Sequence, residues 1–132
     1  MLSETLSIPF SISEAFGGFG TAEGILHFEN DAIRLELEPK LFGFIDNGIQ
    51  ERVIPLTDIL HVEFKSGWTY RMFSIQARSL KTFTGITGAK QGKLEMSIEK
   101  SNAHLAEHLA TMLSAKLTTL QLDRIKEDLK NI

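Results

Sequence analysis

The chain has 132 residues, of which 42% are hydrophobic and 23% charged, and this balance is typical of one folded domain and excludes a disordered or fibrous chain. The absence of cysteine excludes disulfide scaffolds and thiol nucleophiles and is typical of a reducing compartment, so we predict a cytoplasmic protein. With a net charge of −3, thinly spread basic residues and no apolar run of roughly 18 residues, we expect neither nucleic-acid binding nor a transmembrane segment.

Apolar and polar residues alternate along much of the first hundred residues with a period of two, the period at which a strand sends successive side chains to opposite faces. The first alternating segment, Leu6–Ser13, contains Pro9, which has no amide hydrogen to donate, so we predict an edge strand here. The glycines of Phe16–Gly20 predict a turn after it. Asn30-Asp31, two residues that tolerate a positive φ, predict a tight hairpin between the next two strands.

A second hairpin signal, Asn47-Gly48, is the strongest in the chain and leads into a predicted strand at 49–56. Further alternating segments bring the predicted total to six or seven short strands. The Gly- and Thr-rich stretch 81–91 is weakly specified by the sequence, and Gly88–Lys93 is predicted to be a flexible connection between strands.

After Ser101-Asn102, which can cap the first amides of a helix, the apolar period becomes helical and continues to the end of the chain. Short strands joined by turn signals and followed by one helix predict a mainly β fold. We expect an antiparallel β-barrel or sandwich of six to seven strands, capped by a long C-terminal helix. We predict a single domain over residues 1–132, with its core at about 22–117.

This order of elements, with the segment Arg52–Ile59 leading into an alternating strand, resembles bacterial pleckstrin-homology-like (PH-like) domains and the related GRAM domains over about residues 22–117. The resemblance implies a two-sheet sandwich without enzymatic activity that binds lipids, peptides or other copies of itself. Residues 1–20 would then be an N-terminal edge strand and turn, and 118–132 an extension of the helix. The first hairpin, 27–31, is acidic where phosphoinositide-binding members carry basic residues, so phosphoinositide binding is not expected.

Two motifs suggest chemistry but fail on their spacing. His104 and His108, with Glu107 between them, match the inverted zincin pattern, but a catalytic zinc needs a third protein ligand and a cleft. We interpret them as a solvated helix face and leave adventitious metal binding open. Gly88–Lys93 lacks the glycine spacing, the Ser or Thr after the Lys and the following helix of a phosphate loop. We therefore predict no catalytic residue, no metal site and no cofactor.

Leu41, Phe42 and Phe44 belong to an apolar cluster just before Asn47-Gly48, where an ordinary loop would be polar. The cluster either extends two strands into the core or projects as a loop that meets a partner, a membrane surface or another subunit. Because Lys40 alone flanks it, a membrane role lacks the basic residues that normally support one.

The C-terminal helix carries two apolar stripes when successive residues are placed about 100° apart. The first consists of Leu105, Leu109, Met112, Leu113, Leu117 and Leu120. The second, centred roughly 170° away, consists of Leu122, Ile125, Leu129 and Ile132. A straight helix cannot bury both stripes on one sheet. Either the chain bends near Thr118-Thr119, or Leu122–Ile132 forms a surface for self-association or for a protein partner.

Two classes of function follow from this sequence. The first is a non-catalytic interaction module, oligomeric or bound to a protein partner through the helix extension and the apolar loop. The second is a small-molecule or lipid carrier with a cavity inside the barrel, and a peripheral membrane-binding module is a further alternative. Leu, Ile and Phe at nearly every inward position predict a filled core, which favours the first class.

Overall fold

The computed structural model describes residues 5–15, 20–41, 44–45 and 48–131. Within these ranges the chain forms one antiparallel sheet and one long C-terminal helix, which confirms the predicted mainly β fold. The strands are β1 (Leu6–Ala15), β2 (Gly20–Glu29), β3 (Ala32–Leu41), β4 (Phe44–Ile45), β5 (Gln50–Pro55), β6 (Ile59–Ser66), β7 (Arg71–Ala77) and β8 (Lys93–Ser97). Short 3-10 turns span Leu56–Asp58 and Lys100–Asn102, and helix α1 spans Ala103–Lys130.

The strand order across the sheet is β4-β3-β2-β1-β8-β7-β6, with β5 also pairing with β3. The two halves of the sheet meet where β1 pairs with β8 through the single pair Ser11 and Ser97. The strands therefore form one continuous sheet, where the resemblance implied two. The prediction that the N-terminal strand lies at an edge is wrong, because β1 lies between β2 and β8. Pro9 is tolerated there because the pairing with β8 is confined to Ser11.

The predicted hairpin at Asn30-Asp31 is confirmed, since both residues have positive φ and β2 and β3 pair along their whole length. The hairpin predicted at Asn47-Gly48 is wrong, although Asn47 itself lies outside the described residues. The strands on either side of it, β4 and β5, both pair with β3 in the same direction. Lys40 pairs with Ile45, and Leu37 pairs with Gln50. Four residues therefore separate Ile45 from Gln50, where only two residues of β3 separate Leu37 from Lys40. Two strands that both run antiparallel to β3 cannot form a hairpin with each other.

The core consists of the inward residues of every long strand and one face of α1, and in the described part of the chain no polar or charged residue is fully buried. The most deeply buried large side chains are Phe73, Ile8, Ile33, Leu35, Leu37, Ile54, Ile59, Ile75, Leu94, Met96, Leu109 and Leu113. A gap between Ile8, Phe10, Leu26, Phe73, Met96 and Ile98 is too narrow to admit a water molecule. The inward positions are thus filled by side chains, as predicted.

The two edges of the sheet, at β5 and β6, are joined by only the 3-10 turn Leu56–Asp58, with Leu56 buried. Three residues span roughly 10 Å at most, so the sheet must curl until its edges approach each other. The Gly- and Thr-rich segment 78–92 closes the remaining opening, and it buries Phe83 and Ile86. The segment forms turns without a strand or helix, and its two buried residues make it part of the core.

Two side chains of β5 hold this closing segment in place. Arg52 donates hydrogen bonds to the carbonyl oxygens of Thr82 and Thr84, both at 2.8 Å. Gln50 donates to the carbonyl oxygen of Gly85 at 3.2 Å and accepts from the amide of Thr87 at 3.3 Å. Sequence periodicity could not reveal this, because the segment is ordered by side-chain to backbone hydrogen bonds and two buried residues.

We expect Arg52→Ala to lower the free energy of unfolding by about 1.5–3 kcal/mol, because hydrogen bonds from a charged donor are worth about that much. Urea denaturation would measure the change. Glu51→Ala is the matched control, since Glu51 is exposed on the same strand. Equal denaturation midpoints for the two variants would show that Arg52 does not hold the segment.

Candidate functional site

Helix α1 is unbroken from Ala103 to Lys130, a length of about 42 Å at 1.5 Å per residue. It continues through Thr118 and Thr119, whose hydroxyls donate to the carbonyl oxygens of Ser114 and Ala115 within the same helix. The alternative in which the helix wraps its own sheet beyond Thr118-Thr119 is wrong, because residues 118–131 are all exposed.

The first half of α1 packs on the sheet, chiefly against β6. Its buried residues, spaced three or four apart, are Ala106, Leu109, Ala110, Leu113 and Leu117. Ser114 adds a hydrogen bond from its hydroxyl to the carbonyl oxygen of Val62 at 3.4 Å. This half of the helix covers the core, and Leu117 is the last buried residue along it.

Beyond Leu117 the helix leaves the body of the protein. Every residue from 118 to 131 is exposed, and we call this segment the helix extension. Leu122, Ile125 and Leu129 are 53%, 54% and 63% exposed. The structure thus places these three predicted binding residues in solvent, and what they bind stays a prediction. Ile132, the fourth member of the stripe, lies outside the described residues.

The apolar residues of the extension face away from the core-covering side of the helix. At about 100° per residue, Leu122, Ile125 and Leu129 centre roughly 150° from the centre of the buried leucines of the first half. Their spacing, three and then four residues, is that of the a and d positions of a helix that pairs with another helix. Charges of both signs flank them, namely Asp123, Arg124, Lys126, Glu127, Asp128 and Lys130. The extension is an amphipathic helical surface with no part of its own sheet beneath it.

An open cleft of about 550 Å³ lies where the extension leaves the body. It is lined by Asp31, Pro55, Leu56, Thr57, Ala115, Lys116, Thr119 and Leu120. The Lys116 ammonium lies 3.6 Å from a carboxylate oxygen of Asp31 and 5.6 Å from the centre of the Phe28 ring. These contacts tie the middle of the helix to the β2–β3 hairpin and fix the direction in which the extension projects.

The second predicted contact region, the apolar cluster 41–45, contains the reversal between β3 and β4. Leu41 pairs with Phe44 across it. Phe42 lies outside the described residues, and so do the side chains of Leu41 and Phe44. The choice between a core segment and a contact surface therefore stays open for this cluster.

Two motifs from the sequence remain, the His104 and His108 pair and the segment Gly88–Lys93. His104 and His108 are exposed on α1, and among the described residues no group of three or more His, Cys, Asp or Glu side chains could hold a metal ion. Gly88–Lys93 contains positive-φ turns at Gly88, Gln91 and Gly92 and leads into β8. Within the described ranges, no helix is long and apolar enough to cross a membrane.

A polar cluster on the outer face of β1, β2 and β3 was not foreseen from the sequence. The Ser7 hydroxyl lies 2.7 Å from Nδ1 of His27, whose Nε2 lies 3.6 Å from a carboxylate oxygen of Glu36. Arg34 forms ion pairs with Glu29, at 3.0 Å, and with Glu36. Strand register brings these residues together, because Ser7 pairs with His27 and His27 with Arg34.

This cluster joins a serine, a histidine and a carboxylate, but the ring nitrogens are used in the opposite sense from a serine hydrolase, where the serine meets Nε2. The side chains lie on the outer face of the sheet, with the core behind them. We interpret the cluster as cross-strand pairing that stabilises the β1–β3 sheet. Predicting this cluster would have required the register of three strands, and no local sequence pattern reveals that register.

Searches against family models, curated proteins and solved structures find no match to this chain.

The Arg34 guanidinium, through its hydrogen bond, holds the pKa of Glu36 below its ordinary value. A carboxyl group whose pKa is lower in the folded state stabilises the fold above its unfolded pKa, and this stability is lost as the pH falls through the folded pKa. We therefore expect Glu36→Gln to weaken the loss of stability below about pH 4.5, the ordinary value for Glu. Thermal melts of both proteins from pH 7 to pH 3 measure the effect. Glu107→Gln, which removes one carboxylate from the exposed side of α1, is the matched control, and a profile of Glu36→Gln identical to that of the unaltered chain would contradict the assignment.

Proposed function

We propose that this chain is a cytoplasmic, non-catalytic interaction module of the bacterial PH-like type that self-associates through its helix extension. The observation that carries the proposal is the unbroken helix whose residues beyond Leu117 are all exposed while its apolar residues keep the spacing of a helix-pairing surface. The order of strands followed by one covering helix, with Arg52–Ile59 forming the link between the two sheet edges, supports the PH-like assignment.

The energetics of burial support association. Full burial of a leucine or isoleucine side chain is worth about 1.5–3 kcal/mol, and Leu122, Ile125 and Leu129 each have more than half of their surface still in water. Covering them in a partner would therefore contribute on the order of several kcal/mol per chain. That amount is large relative to the 5–15 kcal/mol of net stability of an ordinary domain.

The two alternatives have less support. A carrier needs an internal cavity, and the inward positions are occupied by close-packed Leu, Ile, Phe and Met side chains, with the gap beside Phe73 too narrow for water. A peripheral membrane module needs an excess of basic residues beside its apolar surface. In the extension, Asp123, Glu127 and Asp128 balance Arg124, Lys126 and Lys130 in charge. Lys40, which flanks the apolar cluster, instead lies 3.3 Å from a carboxylate oxygen of Glu23. In the β2–β3 hairpin, Arg34 is paired with Glu29 and Glu36, which also argues against phosphoinositide binding.

Light scattering coupled to size-exclusion chromatography tests the proposal directly. We expect the intact chain to elute as an oligomer and Ile125→Lys to shift it to the monomer mass, because a charge then lies at the centre of the apolar stripe. A chain that ends after Thr119 should behave in the same way. Leu80→Lys is the matched control, since Leu80 is an exposed leucine outside the extension and its replacement should leave the oligomer intact.

Circular dichroism must show that each variant keeps its fold. A monomeric intact chain at every concentration tested would refute self-association.

A further inference from the structure

We propose that the surface on the helix extension is filled by a second copy of this chain, packed antiparallel about a two-fold axis that passes between residues 123 and 124. The inference rests on the proposed self-association and adds the orientation and register of the two helices. In a two-fold contact, if one residue meets another, the reverse contact also occurs. The arrangement can therefore be derived from the positions of a few side chains.

The apolar layers define the register. In an antiparallel pair, an a residue of one helix packs beside a d residue of the other. Placing Leu122 of one copy beside Ile125 of the other creates two equivalent central layers. The next layers outward then place Leu129 of each copy beside Thr118 of the other. Leu122, Ile125 and Leu129 each obtain a partner, and each outer layer joins a large residue with a small one, the interdigitation that close packing requires.

The length of the exposed helix agrees with this register. Leu117 is the last buried residue of α1 and Lys130 is its last helical residue. In the proposed register Leu117 of one copy lies level with Lys130 of the other. The described exposed part of each helix therefore pairs with the described exposed part of the second copy, and the two sheets lie at opposite ends of the helix pair. The centre of the apolar layers and the centre of the exposed segment both lie between residues 123 and 124. The first follows from the positions of the apolar residues and the second from the burial of the helix.

The flanking charges also favour this register. The e and g positions flank the apolar layers. In an antiparallel pair, an e residue lies beside an e residue of the other helix, and a g residue lies beside a g residue. Here Thr119 meets Lys126 and Gln121 meets Asp128, so each charge lies beside a neutral polar group. A shift of seven residues would instead place Lys126 beside Lys126 and Asp128 beside Asp128, and like charges repel.

A parallel pair is disfavoured by residue type. Parallel two-helix pairs prefer β-branched residues at a and leucine at d. The extension has the reverse, with Leu122 and Leu129 at a and Ile125 at d. The dipoles of parallel helices also oppose each other, whereas those of antiparallel helices attract. The antiparallel arrangement is therefore the one that a second copy fits best.

Cysteine cross-linking tests orientation and association together, because the natural chain has no cysteine and each variant then carries one thiol. The probe is a short bis-maleimide added to full-length protein. We expect an equal mixture of Gln121→Cys and Asp128→Cys chains to form covalent dimers in up to about half of the chains, the statistical share of mixed pairs in a two-fold dimer. Asp128→Cys alone should form none, because the two Asp128 residues would lie roughly 13 Å apart along the axis. Thr118→Cys alone should also form none, because the two Thr118 residues would lie roughly 16 Å apart along the axis.

Cross-linking of Thr118→Cys alone would demonstrate a parallel pair and overturn the antiparallel arrangement, while self-association itself would stand. An oligomer without cross-links in any mixture would likewise overturn this register and leave the proposed function intact. A monomeric protein in light scattering, with no cross-links, would overturn both. These three results keep a failure of the orientation distinct from a failure of the proposed function. All three variants replace polar residues, so the apolar stripe is unchanged.

Discussion

The apolar inner face of a curled sheet has to be kept from water where its strands do not pair, and the rest of the structure follows from this requirement. In the described strands, the edges at β5 and β6 form no ladder with each other. Backbone pairing alone therefore does not close the core. Two covers do so instead: the first half of α1 packs on β6, and the segment 78–92 inserts Phe83 and Ile86. Without either cover, large apolar side chains would be exposed at a cost of about 25 cal/mol per Å².

The two covers are held by different forces. The helix relies on apolar packing along Leu109, Leu113 and Leu117, which needs only a stripe of the right period. The segment 78–92 has no regular structure, so its backbone carbonyl groups need donors from elsewhere. Arg52 and Gln50 supply them from β5. A charged side chain that faces inward is tolerated at the open end of the sheet because its guanidinium is bonded to carbonyl oxygens.

The helix is longer than its role as a cover requires. Packing on the sheet is complete at Leu117, and the remaining turns continue in solvent with a second apolar stripe on the opposite side. A helix that served only as a cover would be polar after Leu117. The rotation of the stripe by roughly 150°, together with the flanking charges, is what a surface for another helix requires. The proposed function depends on this separation between the half of the helix that completes the fold and the half that does not take part in it.

The sequence alone determined the features that depend on local period. These are the mainly β class with one terminal helix, the hairpin at Asn30-Asp31, the alternating core positions and the conflict between the two stripes of the helix. Each follows from the geometry of a single strand or helix, so a one-dimensional pattern contains it.

Only the tertiary structure decided what depends on distant parts of the chain. It placed β1 inside the sheet although Pro9 suggested an edge, paired the strands on both sides of Asn47-Gly48 with β3 in the same direction, and held the segment 78–92 through Arg52. It also brought Ser7, His27 and Glu36 together, and it continued the helix past Thr118-Thr119 without packing it on the sheet, so that Leu122, Ile125 and Leu129 remain in solvent. These outcomes are set by pairing and packing between residues far apart in sequence. Local propensity does not depend on such contacts and therefore cannot predict them.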